Sequence, residues 1–479
     1  MKSQFSLETN SINVISDQER HGRARDLFWP WCGANVSLLA LSYGSFFLGF
    51  GISFWQATLA ALIGTVLSFL VVALSSLAGK RSNAPTLVLS RSIFGSKGNV
   101  IPGFLSYLLF VGWETVLISL ATLATGTVFT RVGIIDRNTA MVIGFLIAVG
   151  LTVYGGVLGF HVIMKLQKWL TLATIILTLG YIALTASSIT WSKVSQIPNG
   201  SLAGIVGATI FGITGIGLGW VNSASDYSRY LPRSVSSRSV VGWTTLGASA
   251  VPIVLVIYGA LLAGTSKDLN EKIAMDPIGA LTSLLPTWYL IPFAIVAVLG
   301  LIGGAILDLY SSGLALVTIG LPVKRHIAAS IDALIMMLGT IYIVWFASDF
   351  AIPFQGFLIT LGVPVAAWSA IFVAEFILNR HPIDDAALYA ENSHYGRWRW
   401  KPILVMVLAT VIGWGFVTNT FATWLSWQGF FMSAIGGKTG TWGAANLGVI
   451  FALMIGFVGH YLLSLRGANS SSKSQPSTS

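Results

Sequence analysis

Residues 211–233 read FGITGIGLGWVNSASDYSRYLPR, and the reading of this stretch decides the fold. It begins as an apolar helix and carries Gly212, Gly215, Gly217 and Gly219 in close succession. Trp220, Asn222 and small polar residues follow, and it closes on Asp226, Arg229 and Arg233. Each glycine costs an α-helix about 1 kcal/mol against alanine, so four together make unwinding easy. In a lipid-facing helix the freed backbone groups would find no hydrogen-bond partner. Two readings remain. Unwound backbone can line a protein-buried cavity, where bare N–H and C=O groups meet a polar ligand. Alternatively, small residues let neighbouring helices pack closely. Both can hold at once.

The rest of the chain puts this stretch in a membrane. Of 479 residues, 54% are hydrophobic and only 9% charged, and the mean hydropathy is +0.79. Soluble proteins carry about 25% charged residues. The expectation is an all-α polytopic membrane protein with the lipid bilayer as its surroundings. Residues 1–26 are polar and charged and offer no apolar core for a cleavable signal. A single cysteine, Cys32, excludes an intramolecular disulfide. The net charge of +10 would suggest nucleic acid in a soluble chain; here loop position explains it, and no nucleic-acid partner is expected.

Apolar spans of about 20 residues recur. They lie near 28–51, 54–78, 101–128, 138–158, 164–188, 203–225, 240–264, 287–320, 327–347, 350–378, 401–420 and 444–465, twelve in all. Loop charge tests the count. With both termini in the cytoplasm, 21 of the 27 Lys and Arg fall on inner segments. The outer six are Arg131, Arg137, Lys193, Lys267, Lys272 and Lys438. That bias obeys the positive-inside rule and places the chain in a plasma or inner membrane. The inner loop 79–100 mixes apolar and basic positions and reads as an interfacial segment. The loop 379–400 carries both charge signs and aromatic anchors. The Ser-rich tail 467–479 reads as disordered.

The first span has its own soft middle, Ala40-Leu41-Ser42-Tyr43-Gly44-Ser45. Spans one and six hold corresponding places if the chain is two five-span halves of opposite orientation plus two further helices. Interrupted helices at matching places point to a transporter site.

An ionisable group at mid-membrane costs at least about 2.5 kcal/mol, so each needs a reason. Glu114 sits near the centre of span three and Asp308 within span eight. Leaving water favours the neutral, proton-holding form of a carboxylate, and such residues mark substrate or proton pathways. Structural acids held by neighbouring hydroxyls, Thr115 or Ser311, are the alternative. Asp226, Asp332 and Glu375 lie nearer the inner helix ends and read as solvated or paired with loop arginines; Asp349 falls at an outer turn. Trp113 offers a flat face on which a planar ligand could stack. Catalytic signatures are missing: the chain has no HExxH, P-loop or CxxC. Its six histidines form no metal-ligand pattern. Neither an enzyme nor a bound cofactor or metal is expected.

Several runs resemble the nucleobase–cation symporter family in its purine–cytosine permease branch. They are DQERHGRARDLFWPWCGANVS into span one, NAPTLVLSRSIFGSKGN after span two, and ASDYSRYLPR after span six. LDLYSSGLAL in span eight and the loop HPIDDAALYAENSHYGRWRW complete the series. The resemblance implies a LeuT-type 5+5 inverted repeat with two additional C-terminal helices. The divisions are then a tail 1–26, a first repeat 27–190, a second repeat 191–379, a loop 380–400, helices eleven and twelve in 401–466, and the tail 467–479. It implies alternating-access uptake of a purine, cytosine, allantoin-like or related heterocycle, stacked on a tryptophan of helix three at the place of Trp113. Helix-six backbone and helix-eight polar groups would hold the ring's edges. The expected site is Trp113, Glu114, Ser42, Gly217, Gly219, Trp220, Asn222 and Asp308.

The chain departs from sodium-coupled relatives in three places. A helix-six aromatic is replaced by Gly217, which leaves stacking to Trp220 or Phe211. An amide four residues after the helix-three tryptophan is replaced by Leu117, which moves the polar contact to Glu114. An asparagine-rich stretch is replaced by Gly303, Gly304 and Ala305. Residues 295–302, IVAVLGLI, supply no side-chain oxygen for Na⁺, and Ser311 comes about 13 Å further along a helix. Proton coupling through Asp308 and Glu114 is therefore expected over sodium coupling, with Asp308 the carrier and Glu114 holding ring N–H groups. The alternatives are a LeuT-type carrier of thiamine, pyridoxine or an amino acid and, from another class, a channel or sensor. No filter sequence or soluble output domain supports the latter pair.

Overall fold

The computed structural model describes residues 12–472 apart from 37, 159, 276, 348–350, 380–381 and 421–422. Asp349 and the start and end of the two tails lie outside the described residues.

The apolar segments are helices of crossing length. Among the described residues, ten are long and apolar enough to span a bilayer. They include Phe54–Arg81, Val100–Val132, Ser237–Thr265 and Thr287–Thr318, followed below as spans two, three, seven and eight. Arg325–Trp345 and Ala351–Leu378 are spans nine and ten. Helix starts follow their caps. Ser53 accepts the Gln56 N–H while Gln56 Oε1 accepts the Ser53 N–H at 3.0 Å, a capping box that opens span two.

Span one is broken. Its halves, Phe28–Asn35 and Leu38–Leu48, belong to a pair bent by 67° that, counted as one span, makes an eleventh crossing; the expected soft middle 40–45 is itself helical, and the bend comes before Leu38. The expected twelfth is not established. Trp400–Gly415 has 16 residues, short of the roughly 20 that a bilayer core requires.

Span six runs Leu202–Ser228 but is α-helical only at its ends. Leu202–Gly212 is regular, Ile213–Gly217 widens into a π-turn, Leu218–Ser223 tightens to 3₁₀, and Ala224–Ser228 resumes. The glycine run thus lets the helix change pitch twice in mid-span. Its glycines divide by role. A Cβ on Gly217 would lie 2.2 Å from Ser68 Oγ, and one on Gly212 3.3 Å from Gly64 Cα, so these two let span two approach. Gly215 and Gly219 face a central pocket. Both readings of the run hold, at different positions.

Burial orders the spans. The apolar windows of spans three, eight and ten are 67%, 72% and 78% buried, against 22% for Thr171–Ser188. The outer helices instead expose Leu146, Ile176, Leu338 and Leu462, as a lipid-facing surface requires.

The two long basic loops interlock. Ser96 N–H bonds Gly396 O at 3.0 Å, Lys97 N–H bonds Arg397 O at 2.9 Å, and Arg399 N–H bonds Phe94 O at 3.0 Å. Between them Leu87, Val88, Leu89, Ile93 and Phe94 are buried, and Trp368 Nε1 donates to Ser90 Oγ at 3.0 Å. Segment 79–100 is therefore a packed plug rather than the interfacial segment expected. The chain just before span one is also packed there. Arg20 donates to Leu231 O at 2.8 Å, Ser82 O at 2.7 Å, Lys80 O at 2.5 Å and Asn83 Oδ1.

Candidate functional site

A pocket opens where both broken spans meet spans three, seven and eight. Span one contributes Ala34, Asn35, Leu39, Ala40 and Tyr43, and span three Phe110, Trp113 and Leu117. Span six contributes Thr214, Gly215, Ile216, Gly219 and Trp220, with Pro252 and Asp308 from spans seven and eight. The volume is about 50 Å³, enough for a few waters, so a planar ring requires the walls to part.

The pitch changes of span six create the polar edge. Where the helix widens, the Gly215 carbonyl accepts from Tyr43 Oη at 2.9 Å. Asn35, 8% exposed, donates from Nδ2 to Trp31 O at 2.8 Å, which leaves its carbonyl oxygen for the pocket. Trp113 is braced edge-on by Phe354 and Phe357, with centroids at 5.5 and 6.2 Å. Trp220 is braced by Trp31 at 5.9 Å. A Cβ on Gly219 would sit 3.3 Å from Trp113 Nε1, so this glycine brings span six against the indole edge.

Of the expected residues, Trp113, Gly219, Trp220 and Asp308 line the pocket together. The other four stand elsewhere. Ser42 is fully buried, and its neighbour Tyr43 takes the pocket wall. Gly217 faces Ser68. Asn222 accepts from Ser106 at 3.1 Å beneath the pocket. Glu114 is fully buried and turns towards spans eight and nine, where Asp332, Asp308 and Ser312 are its polar neighbours. It offers no direct contact to a ring in the pocket. Asn35 and Tyr43 were missed because an amide or phenol in an apolar span carries no spacing signal.

The acids near the basic end are not solvated. Asp226, 2% exposed, accepts from Thr86 N at 2.8 Å, Thr86 Oγ1 at 2.9 Å and Ser311 Oγ at 3.0 Å. Asp332 is fully buried and accepts from Ser312. Glu375 pairs with His460 at 2.7 Å. Hydroxyls hold Asp226 and Asp332 and an imidazole holds Glu375, with the Arg229 charge also acting on Asp226.

The two ends of the pocket differ. Towards the basic end, Asp226–Ser311, Asn222–Ser106 and Arg229 Nη2–Tyr310 Oη at 3.3 Å tie span six to spans three and eight. Towards the other end lies a second cavity of about 670 Å³. Phe46, Phe50, Phe211, Leu358, Asn419 and Lys438 are among its walls, and Thr214 is shared with the pocket. Phe211 stands between the two, edge-on to Tyr43 at 5.5 Å and Phe47 at 5.5 Å.

Comparison with known proteins agrees with this geometry. Residues 14–442 match the family described as permease for cytosine/purines, uracil, thiamine, allantoin. The chain is 25% identical over 430 residues to YxlA of Bacillus subtilis (strain 168), a protein provisionally designated a purine-cytosine permease. That match covers 87% of this chain and 90% of YxlA. It is 26% identical over 266 residues to the purine-cytosine permease FCY21 of Saccharomyces cerevisiae, over 54% of this chain and 48% of the yeast protein. In fold it is similar to Mhp1, a nucleobase-cation-symport-1 family transporter, in a closed conformation with bromovinylhydantoin bound. The TM-score is 0.73 at 17% identity, over 97% of each chain. At that identity the likeness carries the architecture alone, the LeuT-type arrangement with breaks in spans one and six.

Proposed function

The chain belongs to the family of permeases for cytosine/purines, uracil, thiamine and allantoin, and from that premise we propose that it carries a nucleobase or related planar heterocycle across the membrane by alternating access. The observation that carries this reading is the pocket itself. Two half-buried tryptophans, the freed backbone of span six and the carboxyl of Asp308 converge on one small cavity at the helix breaks. Aromatic faces suit a flat ring, and backbone groups with one acid suit its N–H and C=O edge. The sealed basic end and the wide cavity at the other fit a carrier caught with one side open. We assign the sealed side to the cytoplasm on the loop charge.

Proton coupling is the reading we favour for the driving ion. Gly300 stands 2.6 Å, at its would-be Cβ, from Val36 O, so span eight meets the broken first span here through glycine and offers no side-chain oxygen of its own. Sodium needs several oxygens at once to replace its hydration shell, whereas three acids lie close by. Uptake by proteoliposomes is then expected to survive replacement of external Na⁺ by choline and to collapse with a protonophore. Asp308→Asn should abolish concentrative uptake while leaving exchange. Uptake that rises steeply with Na⁺ and ignores the pH gradient overturns the assignment. A thermal-shift screen of nucleobases, hydantoins, allantoin, thiamine and pyridoxine identifies the substrate, since a ligand at 100 times its Kd stabilises by about 2.7 kcal/mol.

A further inference from the structure

Behind the pocket wall, spans three, eight and nine bring together three carboxyls. Glu114, Asp308 and Asp332 are 0%, 3% and 0% exposed. On span eight, Asp308 and Ser312 are one turn apart and share a face. On span three, Tyr107 and Glu114 are two turns apart and share a face. Ser312 donates to Asp332 Oδ2, which leaves Asp332 Oδ1 without a hydrogen-bond partner among the described residues. Both oxygens of Glu114, Asp308 Oδ2 and the Tyr107 hydroxyl also lack one. The polar groups facing the cluster are Tyr107 from span three, Ser312 from span eight and, beside Asp308, Tyr227 from the end of span six. No lysine, arginine or histidine among the described residues interacts with the three acids.

This arrangement is not one of salt bridges. The Glu114 and Asp332 carboxyls are within hydrogen-bonding reach, yet carboxylate oxygens only accept, so they bond only when one carries a proton. Like charges in contact in a dry site cannot both be ionised. As packing alone, acids without counter-charges would be a poor choice beside apolar residues of the same volume.

We propose that Glu114 and Asp332 form an acid pair that holds one shared proton behind the pocket, and that Asp308 relays protons between the pair and the substrate. The proposal rests on the proton-coupled reading above and deepens it. Glu114 O–H donates to Asp332 Oδ1, and Ser312 holds Oδ2. When water reaching the pair from the basic end takes its proton, the Glu114 O–H breaks and a hydronium O–H forms; the O–H of Asp308 then breaks as a new O–H forms on Glu114. Asp308 is then left charged against the pocket, ready to take a proton from the vestibule side. Nothing in the spacing along the chain joins Asp332 to Glu114, because they meet only across two helices.

Two measurements test this. Infrared spectra of the full-length protein in lipid, without substrate, are expected to show a protonated-carboxyl band at neutral pH. In an Asp308→Asn background, which removes the Asp308 carboxyl, Glu114→Gln should remove the remaining band and Asp332→Asn should displace it, while Glu375→Gln leaves it. A band untouched by both substitutions overturns the pair; if Glu114→Gln misfolds, Asp332→Asn alone decides. With cytosine as probe, proteoliposomes of the native protein should show counterflow when preloaded with cytosine and, when empty of cytosine and containing pyranine, internal acidification as cytosine enters. Both variants should keep counterflow and lose acidification. A variant acidifying at the native rate overturns the proposal. Native protein without cytosine counterflow counts against the functional reading instead and leaves the infrared result to decide the pair.

Discussion

Trp113 carries the sharpest expectation at the scale of single residues. Its indole lines the pocket and is held edge-on by two phenylalanines, so its free face is pre-set for stacking. Trp113→Ala is expected to lose about 1–3 kcal/mol of ligand binding, by analogy with base–aromatic stacking, and Trp113→Phe to keep much of it. Equilibrium binding on folded protein measures both; normal binding by the alanine variant removes Trp113 from the site. Tyr43 makes a second case. Its hydroxyl donates to the Gly215 carbonyl across two spans, and Tyr43→Phe removes this buried hydrogen bond, at about 0.5–1.5 kcal/mol. Loss of thermal stability is expected, and an unchanged melting temperature would show that the carbonyl finds another donor. Asp308 was legible because an acid in an apolar span is costly, whereas Trp113, one of seventeen tryptophans, stood out only through the family resemblance. Asn35 and Tyr43 were not, because an amide or phenol in an apolar span acquires its partner only when the helices meet.

The elements make their own prediction, and it separates two glycines two residues apart. Gly217→Ala pushes a methyl group to 2.2 Å from Ser68 Oγ and 2.7 Å from Ser68 Cβ, so span two must shift. Overpacking of this kind typically destabilises by about 1–3 kcal/mol. Gly219→Ala meets its nearest atoms only at 3.3 Å and should fold nearly as well, while Gly219→Leu fills the pocket and should abolish binding. Melting temperatures and ligand binding on the same four proteins decide it; equal loss of stability at both alanines, or binding by Gly219→Leu, contradicts the division. The run as a whole was readable, since four glycines in an apolar span announce a break. Which glycine serves packing and which the pocket follows from helical phase, and phase is reset where the helix widens and then tightens. A regular-helix count therefore could not assign Gly217.

At the scale of the whole molecule, the seal at the basic end depends on the chain before span one. Arg20 ties Lys80, Ser82 and Asn83 to Leu231. Burial, and next the Arg233 charge, push its guanidinium down to about 10, so it stays charged at neutral pH and lends transport no pH dependence of its own there. Arg20→Ala is expected to populate the state open at the basic end. In a background with Cys32 replaced, a Ser311→Cys probe should then label faster from that side; unchanged labelling would show that the tail is not part of the seal. Cysteines at 193 and 438 should label from outside intact cells and one at 397 should not, and outside labelling at 397 would invert the topology. By itself the sequence determined the class, most of the helical spans, the charge asymmetry and the break in span six, because hydropathy, loop charge and glycine content act locally and add along the chain; the break in span one, read at 40–45, falls instead before Leu38. Tertiary structure alone decided that Glu114 faces Asp332 and not the pocket, that Asp226 is held by Thr86 and Ser311, and that the loop 79–100 is packed against the loop 379–400. Those outcomes depend on which helix faces which, and a buried polar group takes whatever partner its neighbours across the bundle present.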